Sequence, residues 1–361
     1  MKAVIIGGGV AAAEAAIAIR KNDPASEVVL CTAENSYPYR RPFLSKGLLK
    51  GFAGEGFLLK SAEFYQREQI DVRLNTVIEK IDPGRKEVLC NDGSVLSYDK
   101  LLLATGARAR NLPVPGADLP HVRTLRDLKD AEAIRKQLAE GVPHAMIIGG
   151  GILGLELAEV LLEAKCGKVT VVECAPALLP RNLDAASSAQ ILEHLKNIPG
   201  LELRFNERIT EITPETADLV IISAGVIPET ELASAAGICC ANGILVNPDL
   251  QTSEPDIYAA GDCAELPGCV SGIYTTASDM GKAAGNNMSG DGIVFKPLPA
   301  SMRFMGFGLK LFSCGDFSGE MEEFQENGNV KRLFRKDGKL SGAVLIGDMR
   351  ESMKLFNEIN N

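Results

Sequence analysis

The chain has 361 residues, of which 46% are hydrophobic and 24% charged, with a formal net charge of -9 and a pI near 5.1. This composition excludes a disordered chain and a membrane bundle, and the acidic charge argues against a general nucleic-acid binder. At roughly 150 residues per domain, the length allows two or three domains. A globular enzyme or binding protein therefore remains.

Nine cysteines are scattered without a C-x-x-C pair, which indicates reduced thiols and a cytoplasmic protein. The apolar first 19 residues are similar to a signal peptide only superficially, because Glu14 and three glycines interrupt them. They predict a strand, a glycine turn and a helix.

The first glycine turn, Gly7-x-Gly9-x-x-Ala12, opens an internal repeat in which residues 2–34 are echoed by residues 144–173. Each copy predicts a buried strand, a glycine turn, a helix with small residues against the sheet, and a second strand that ends in a carboxylate. The spacing is typical of dinucleotide binding: Gly7 allows the tight turn, Gly9 admits the pyrophosphate, and Ala12 allows close packing. Glu34 follows the second strand and can accept hydrogen bonds from a ribose.

The second copy has the fuller pattern, Gly149-x-Gly151-x-x-Gly154, and Ile152 follows its turn. Its second strand ends at Glu173, which favours the free 2'-hydroxyl of NAD and repels the 2'-phosphate of NADP. The next three residues contain no arginine to bind a phosphate. The sequence therefore predicts two dinucleotide sites, of which the second prefers NADH.

The segments between and after the repeats predict smaller elements. Residues 35–60 are expected to be extended, and strands are expected near 72–74, 88–89 and 101–104. A helix is predicted from about Thr276 to Met288. Prolines at 297 and 299 mark a boundary, after which short strands and a helix near 349–359 predict a small α+β domain.

Four further segments resemble the two-dinucleotide family of pyridine nucleotide and FAD-dependent oxidoreductases. The resemblance is closest to the NADH:rubredoxin oxidoreductases and to the N-terminal part of nitrite reductase large subunits. Its segments are 41–46 with Arg41, 101–106 with Thr105 and Gly106, 222–228 with Gly225, and 257–262 with Gly261 and Asp262.

The resemblance implies an α/β fold with two Rossmann-like dinucleotide-binding domains, one for FAD and one for NAD, and a small α+β C-terminal domain packed near the flavin. The FAD domain would comprise residues 1–107 and 225–296, the NAD domain 108–224, and the C-terminal domain 297–361. It also implies that electrons pass from NADH through FAD to a small iron protein such as rubredoxin.

The resemblance further assigns roles to individual residues. Lys46 and Glu156 match a lysine and a glutamate near the reactive edge of the flavin; the alternative is a surface lysine and a solvent-facing glutamate. Val77, expected in a strand, matches a backbone contact to adenine, and Thr275 and Thr276 open a helix directed at the flavin. The full binding set is Gly7, Gly9, Ala12, Glu34, Arg41, Lys46, Val77, Thr105, Gly106, Gly149, Gly151, Ile152, Gly154, Glu173, Gly225, Gly261, Asp262, Thr275 and Thr276.

Departures from the family pattern reduce the number of reactions that this chain is expected to catalyse. Residues 37–44 lack the C-x-x-x-x-C of disulfide reductases, and no histidine follows His194 to act as a thiol acid/base. Cys263 is expected to be a packing residue. Because of the vicinal pair Cys239-Cys240, an NADH oxidase or a thiol-disulfide reductase is the alternative enzyme. A third alternative is a flavoprotein that acts through an NADH-dependent interaction and not through turnover.

Four basic residues near the C-terminus, Lys331, Arg332, Arg335 and Lys336, have two interpretations. They could steer an acidic rubredoxin, or they could form the solvated face of a hairpin. The sequence contains no evident metal site and leaves the oligomeric state open.

Overall fold

A computed structural model describes residues 1–267 and 272–360. The helices are α1 (Val10–Asn22), α2 (Leu44–Lys50), α3 (Ala62–Arg67), α4 (Leu128–Glu140), α5 (Ile152–Glu163), α6 (Ala185–Leu195), α7 (Glu231–Ala235), α8 (Tyr274–Met288) and α9 (Ser352–Asn360). The strands are β1 (Lys2–Ile6), β2 (Glu27–Cys31), β3 (Ile70–Arg73), β4 (Ile78–Asp82), β5 (Glu87–Cys90), β6 (Val95–Ser97), β7 (Lys100–Leu103), β8 (Ala107–Ala109), β9 (Val122–Thr124), β10 (His144–Ile148), β11 (Lys168–Glu173), β12 (Leu201–Phe205), β13 (Leu219–Ile222), β14 (Val226–Pro228), β15 (Ile244–Leu245), β16 (Ile257–Ala259), β17 (Ala264–Glu265), β18 (Ser301–Gly306), β19 (Leu309–Gly315), β20 (Glu320–Glu326), β21 (Asn329–Lys336) and β22 (Lys339–Ile346).

The first compact unit contains Met1–Phe43, Phe52–Arg108 and Val226–Pro297. Its main sheet has the parallel order β16-β7-β1-β2-β3, and α1 connects β1 to its neighbour β2. The predicted first βαβ unit is therefore confirmed. Its central strands β1, β2 and β7 are buried on both faces, as their continuous apolar sequences require.

Small residues bring α1 and α8 of this unit into backbone contact. A Cβ added to Gly281 would lie 2.3 Å from the carbonyl oxygen of Ala11, and one added to Gly285 would lie 2.5 Å from that of Ala15. Only glycine permits this approach. The small residues of α1 therefore serve a helix–helix contact as well as the predicted contact with the sheet.

The second unit contains Leu44–Gly51, Ala109–Gly225 and the described residues from Leu298 onward. One of its sheets has the parallel order β12-β11-β10-β13-β9, and α5 connects β10 to its neighbour β11. This arrangement confirms the second βαβ unit and the repeat.

The last part of the second unit is an antiparallel sheet, β18-β19-β22-β21-β20, followed by α9. The expected small α+β domain is therefore present. Leu155 of α5 and Leu195 of α6 share one apolar core with Phe304, Leu311 and Phe334 of this sheet. The C-terminal sheet thus packs on α5, which follows the second glycine turn, and on α6.

Residues 35–60 differ from the extended segment that was expected. They contain a 3-10 turn over Arg41–Phe43 and the helix α2, which packs against α4 and α5 within the second unit. The four-part domain division stays a prediction. In the part of the chain that the structure describes, no helix is long and apolar enough to cross a membrane.

Candidate functional site

The first glycine turn joins β1 to α1. Gly7 has a φ of +136°, and a Cβ there would lie 2.0 Å from the carbonyl oxygen of Ala104, so glycine is required. A Cβ on Gly9 would meet no atom within 4 Å, and within the described residues no side chain caps α1. Ala12 is fully buried. The N-terminus of α1 therefore faces open space that suits a pyrophosphate group.

Glu34 stands beside this turn and is held by two side chains. Tyr39 donates its hydroxyl to Oε2 at 2.6 Å, and Arg41 forms a 2.5 Å ion pair with Oε1. The strand β2 ends at Cys31, so the expectation that it ends in the carboxylate is wrong for this copy. The spacing of the glycines gives no indication of the Tyr39 hydroxyl, so sequence reasoning missed it.

The late motif of the first unit lies against α1. Gly261, with a φ of +83°, would bring a Cβ to 3.0 Å from that of Ala11, and half-buried Asp262 follows it. Thr275 and Thr276 lie in the first turn of α8, which begins at Tyr274, two residues earlier than predicted. The structure therefore brings this motif together with the N-terminal segments of α1 and α8.

The segment after β7 is also held within the first unit. Thr105 donates its hydroxyl to the carbonyl of Glu229 at 2.9 Å. Gly106 has a φ of +74°, which favours glycine. The predicted strand and glycine turn are therefore present.

Val77 lies one residue before β4 and is 43% exposed, so the expectation that it belongs to a strand is wrong. Its N–H donates to the Asn91 side chain at 3.0 Å, and its carbonyl accepts the Asn91 N–H at 2.9 Å. The neighbouring Thr76 N–H donates to the Thr32 carbonyl, which holds this segment beside the turn that carries Glu34. The contact of Val77 with adenine stays a prediction.

The second glycine turn repeats the geometry of the first. Gly149 has a φ of +122°, and a Cβ there would lie 2.3 Å from the carbonyl oxygen of Ser223. A Cβ on Gly154 would lie 2.0 Å from the Gly149 carbonyl oxygen, whereas one on Gly151 would meet no atom within 4 Å. Ile152 begins α5 and is partly buried. Here too an open helix N-terminus follows a turn that only glycine can form.

Glu173 is the last residue of β11, as predicted, and backbone groups orient it. Oε2 accepts the Gly150 N–H at 2.8 Å, and Oε1 accepts the Ala175 N–H at 2.8 Å. The Cys174 thiol also donates to Oε1, and this hydrogen bond raises the pKa of the thiol. Gly225, with a φ of +92°, follows β13 and accepts the Arg110 N–H.

Lys46 and Glu156 come together in the second unit. Glu156 is half-buried, which excludes the solvent-facing alternative for this residue, whereas Lys46 is exposed. Burial raises the pKa of the Glu156 carboxyl above its ordinary value. The Ser45 hydroxyl, which donates to Oε2 at 2.9 Å, and the Lys46 ammonium oppose this rise, and Glu159 adds to it. Sequence reasoning missed Ser45, although it stands next to Lys46 in the 41–46 segment.

The four basic residues near the C-terminus do not form one steering surface. Arg332 is 4% exposed and donates to Ser187 at 2.8 Å and to Gln190 at 3.1 Å, both on α6. Lys331 pairs with Glu351 and Arg335 with Glu322. Because alternate residues of β21 face opposite sides of the sheet, Arg332 lies on the other face from Lys331, and of the two interpretations the single steering surface formed by all four residues is wrong.

The cysteines of the described residues are free thiols, Cys239 and Cys240 among them; Cys269 lies outside these residues. Burial raises the pKa of Cys240, which makes its thiolate scarce. Cys263 is completely buried, and its thiol contacts the carbonyls of Leu103 and Ala260, in agreement with a packing role.

Two open glycine turns, each with a held carboxylate, define a two-dinucleotide α/β oxidoreductase. Residues 1–283 match the family described as pyridine nucleotide-disulphide oxidoreductase, and residues 301–361 match the rubredoxin NAD+ reductase C-terminal domain. The chain belongs to this family. The fold class, the family resemblance and the cofactors FAD and NADH, predicted from the sequence, are thereby confirmed.

Individual relatives agree with this assignment. The chain is 30% identical over 375 residues to the NADH-rubredoxin oxidoreductase of Clostridium acetobutylicum, covering 100% of this chain and 94% of that protein. It is 32% identical over 382 residues to a nitrite reductase [NAD(P)H] of Bacillus subtilis, covering 99% of this chain but 47% of that protein. Among solved structures, a covalent putidaredoxin reductase-putidaredoxin complex matches with a TM-score of 0.90 and 27% identity, over 99% of this chain and 93% of that chain.

Proposed function

We propose that this chain is an NADH-dependent FAD reductase that passes electrons to a small iron protein such as a rubredoxin. The observation that carries the proposal is the pair of open turns at Gly9 and Gly151, each beside a carboxylate held in place. The names of the relatives support the acceptor, because they pair this fold with rubredoxin or putidaredoxin.

The residues of the first unit suit FAD. Gly7 and Gly9 leave room for its pyrophosphate at the N-terminus of α1, and Glu34 accepts hydrogen bonds from its ribose. Asp262 would bind the ribityl and pyrophosphate region, and the first turn of α8, with Thr275, would contact the flavin. FAD, when bound, accepts two electrons from NADH and releases them singly.

The residues of the second unit suit NADH. Gly149, Gly151 and Gly154 form its pyrophosphate turn, and Glu173 accepts the ribose hydroxyls and repels a 2'-phosphate. Lys46 would supply a positive charge to the bound flavin, and Glu156 would direct that ammonium. The charge interaction between Lys46 and Glu156 supports this pairing.

An anaerobic NADH titration of the purified flavoprotein, followed by addition of oxidised rubredoxin, tests the proposal. We expect the visible flavin absorbance to bleach at one equivalent of NADH and rubredoxin to be reduced in many turnovers. Consumption of two equivalents would instead indicate a redox-active disulfide and would favour the thiol-disulfide reductase. Slow reduction without turnover on rubredoxin would favour the interaction protein.

We also propose a cytoplasmic location. The free thiols of the described cysteines support it, because reduced cysteines are typical of the cytoplasm. Thiol alkylation of the protein in intact cells, followed by mass spectrometry, tests this location: oxidised pairs would contradict it.

A further inference from the structure

Ser45 links the helix that carries Lys46 to the helix that carries Glu156. It is 2% exposed, and its hydroxyl donates to Oε2 of Glu156 at 2.9 Å. The helices α2 and α5, which this bond joins, pack against each other within the second unit. Because the Ser45 hydroxyl is buried, its loss would leave this carboxylate oxygen without its donor from α2.

We propose that Ser45 is a positioning residue that keeps Glu156 ionised and directed at Lys46. The inference rests on the proposed function, in which Lys46 acts at the flavin edge. A hydroxyl donates a stronger hydrogen bond to a carboxylate than to a neutral carboxyl group, so the Ser45 bond favours the ionised form. Without it, burial of Glu156 is opposed by Lys46 alone, and a protonated Glu156 cannot pair with the ammonium.

The surroundings of Glu156 leave this role to α2. On its own helix, Glu159 disfavours the ionised form of Glu156 and accepts the Phe307 N–H of the C-terminal sheet at 2.5 Å. The titratable or charged groups of the strands packed on α5 bond elsewhere: His144 to Thr170, Lys168 to Glu202, Glu173 to Gly150 and Arg303 to Ser352.

The first test is the pH profile of flavin reduction by NADH, recorded by anaerobic stopped flow on FAD-loaded Ser45→Ala between pH 5.5 and 8.5. We expect the rate to fall about tenfold at the acidic end, as loss of a hydrogen bond to a charged group predicts, and to approach wild type at the alkaline end. Ser45→Thr should restore the profile. Ser45→Cys, a weaker donor of similar size, should shift the pH profile in the same direction as Ser45→Ala. It replaces Ser45→Ala in the experiment if that variant does not fold.

The second test needs no NADH. Urea unfolding of the FAD-loaded protein compares Ser45→Ala in the wild-type and Glu156→Gln backgrounds at pH 5 and pH 8. We expect Ser45→Ala to lower the urea midpoint more at pH 8, where Glu156 is ionised, than at pH 5. In the Glu156→Gln background, the loss should be the same at both pH values. The control is Ser188→Ala on α6, which removes a buried hydroxyl that donates to the Leu178 carbonyl at 2.8 Å and should cost the same in both backgrounds.

A rate loss that is equal at every pH, or an unfolding loss that is unchanged by Glu156→Gln, would overturn the role of Ser45. Failure of the wild-type flavin to accept electrons from NADH would instead refute the proposed function. The unfolding comparison would still decide whether Ser45 controls Glu156.

Discussion

Gly154, in the first turn of α5, and Gly151, just before this helix, should respond differently to one added methyl group: the first variant should lose stability and the second affinity for NADH. In Gly154→Ala the new Cβ lies 2.0 Å from the Gly149 carbonyl oxygen, against a shortest tolerated distance of 3.0 Å, so the turn or the helix must move by about 1 Å. Both partners belong to the backbone, so no side chain can rotate away. We expect the free energy of unfolding to fall by about 3 kcal/mol, the upper end of the usual cost of overpacking.

Gly151→Ala should leave stability within about 0.5 kcal/mol of wild type, because alanine lowers the conformational entropy of the unfolded chain and so offsets the weaker helix cap. Its φ of -77° suits alanine, and its Cβ meets no atom within 4 Å. The methyl group occupies the space proposed for the NADH pyrophosphate, however, so the Kd of NADH should rise at least about tenfold.

Urea unfolding followed by circular dichroism measures the first effect, and anaerobic NADH titration measures the second. The FAD content should stay at the wild-type value in Gly151→Ala, because the flavin turn at Gly9 belongs to the other unit. Equal stability losses in the two variants, or wild-type NADH affinity in Gly151→Ala, would refute the reasoning.

Three further substitutions test other contacts. Arg332→Ala removes a buried guanidinium with two partners on α6 and should lower the free energy of unfolding in urea by about 2–3 kcal/mol, whereas Arg335→Ala on the same strand should cost under about 1 kcal/mol; equal losses would contradict the buried contact. Glu173→Ala should weaken the preference for NADH over NADPH in steady-state kinetics, and unchanged selectivity would remove its assigned role. Lys46→Ala should slow flavin reduction in stopped flow while Lys50→Ala, also exposed on α2, does not; equal rates in the two variants would exclude Lys46 from the mechanism.

The parts of the site that follow from local geometry could be predicted from the sequence. A glycine that must adopt a positive φ or approach a carbonyl leaves a fixed spacing, so both turns and both βαβ units were predicted correctly. The carboxylate of Glu173 was located as well, because it directly ends a buried strand. The contacts themselves can be distant in sequence, as Gly7 with Ala104 and Gly149 with Ser223 show, but the residue types that they require recur at a short, fixed spacing.

The remaining features depend on which elements meet. Arg332 stands in a run of basic residues. Only the pairing of β21 and its packing on α6 show that the Arg332 guanidinium is buried, whereas Arg335 pairs with the exposed Glu322 of β20. Ser45 lies in a segment with no hydrophobic period long enough to predict α2, and its partner Glu156 is 111 residues away. Gly281 must be glycine because α8 packs against Ala11 of α1, a contact that no local pattern indicates.

The two carboxylates beside the glycine turns show how one motif can serve different cofactors. Glu34 is paired with the guanidinium of Arg41, which compensates its negative charge, whereas Glu173 is held by the neutral N–H groups of Gly150 and Ala175. Neutral donors orient a carboxylate without cancelling its charge. The repulsion of a 2'-phosphate by Glu173 therefore remains at full strength, and selectivity against NADPH follows from the donors that hold this carboxylate as much as from its presence.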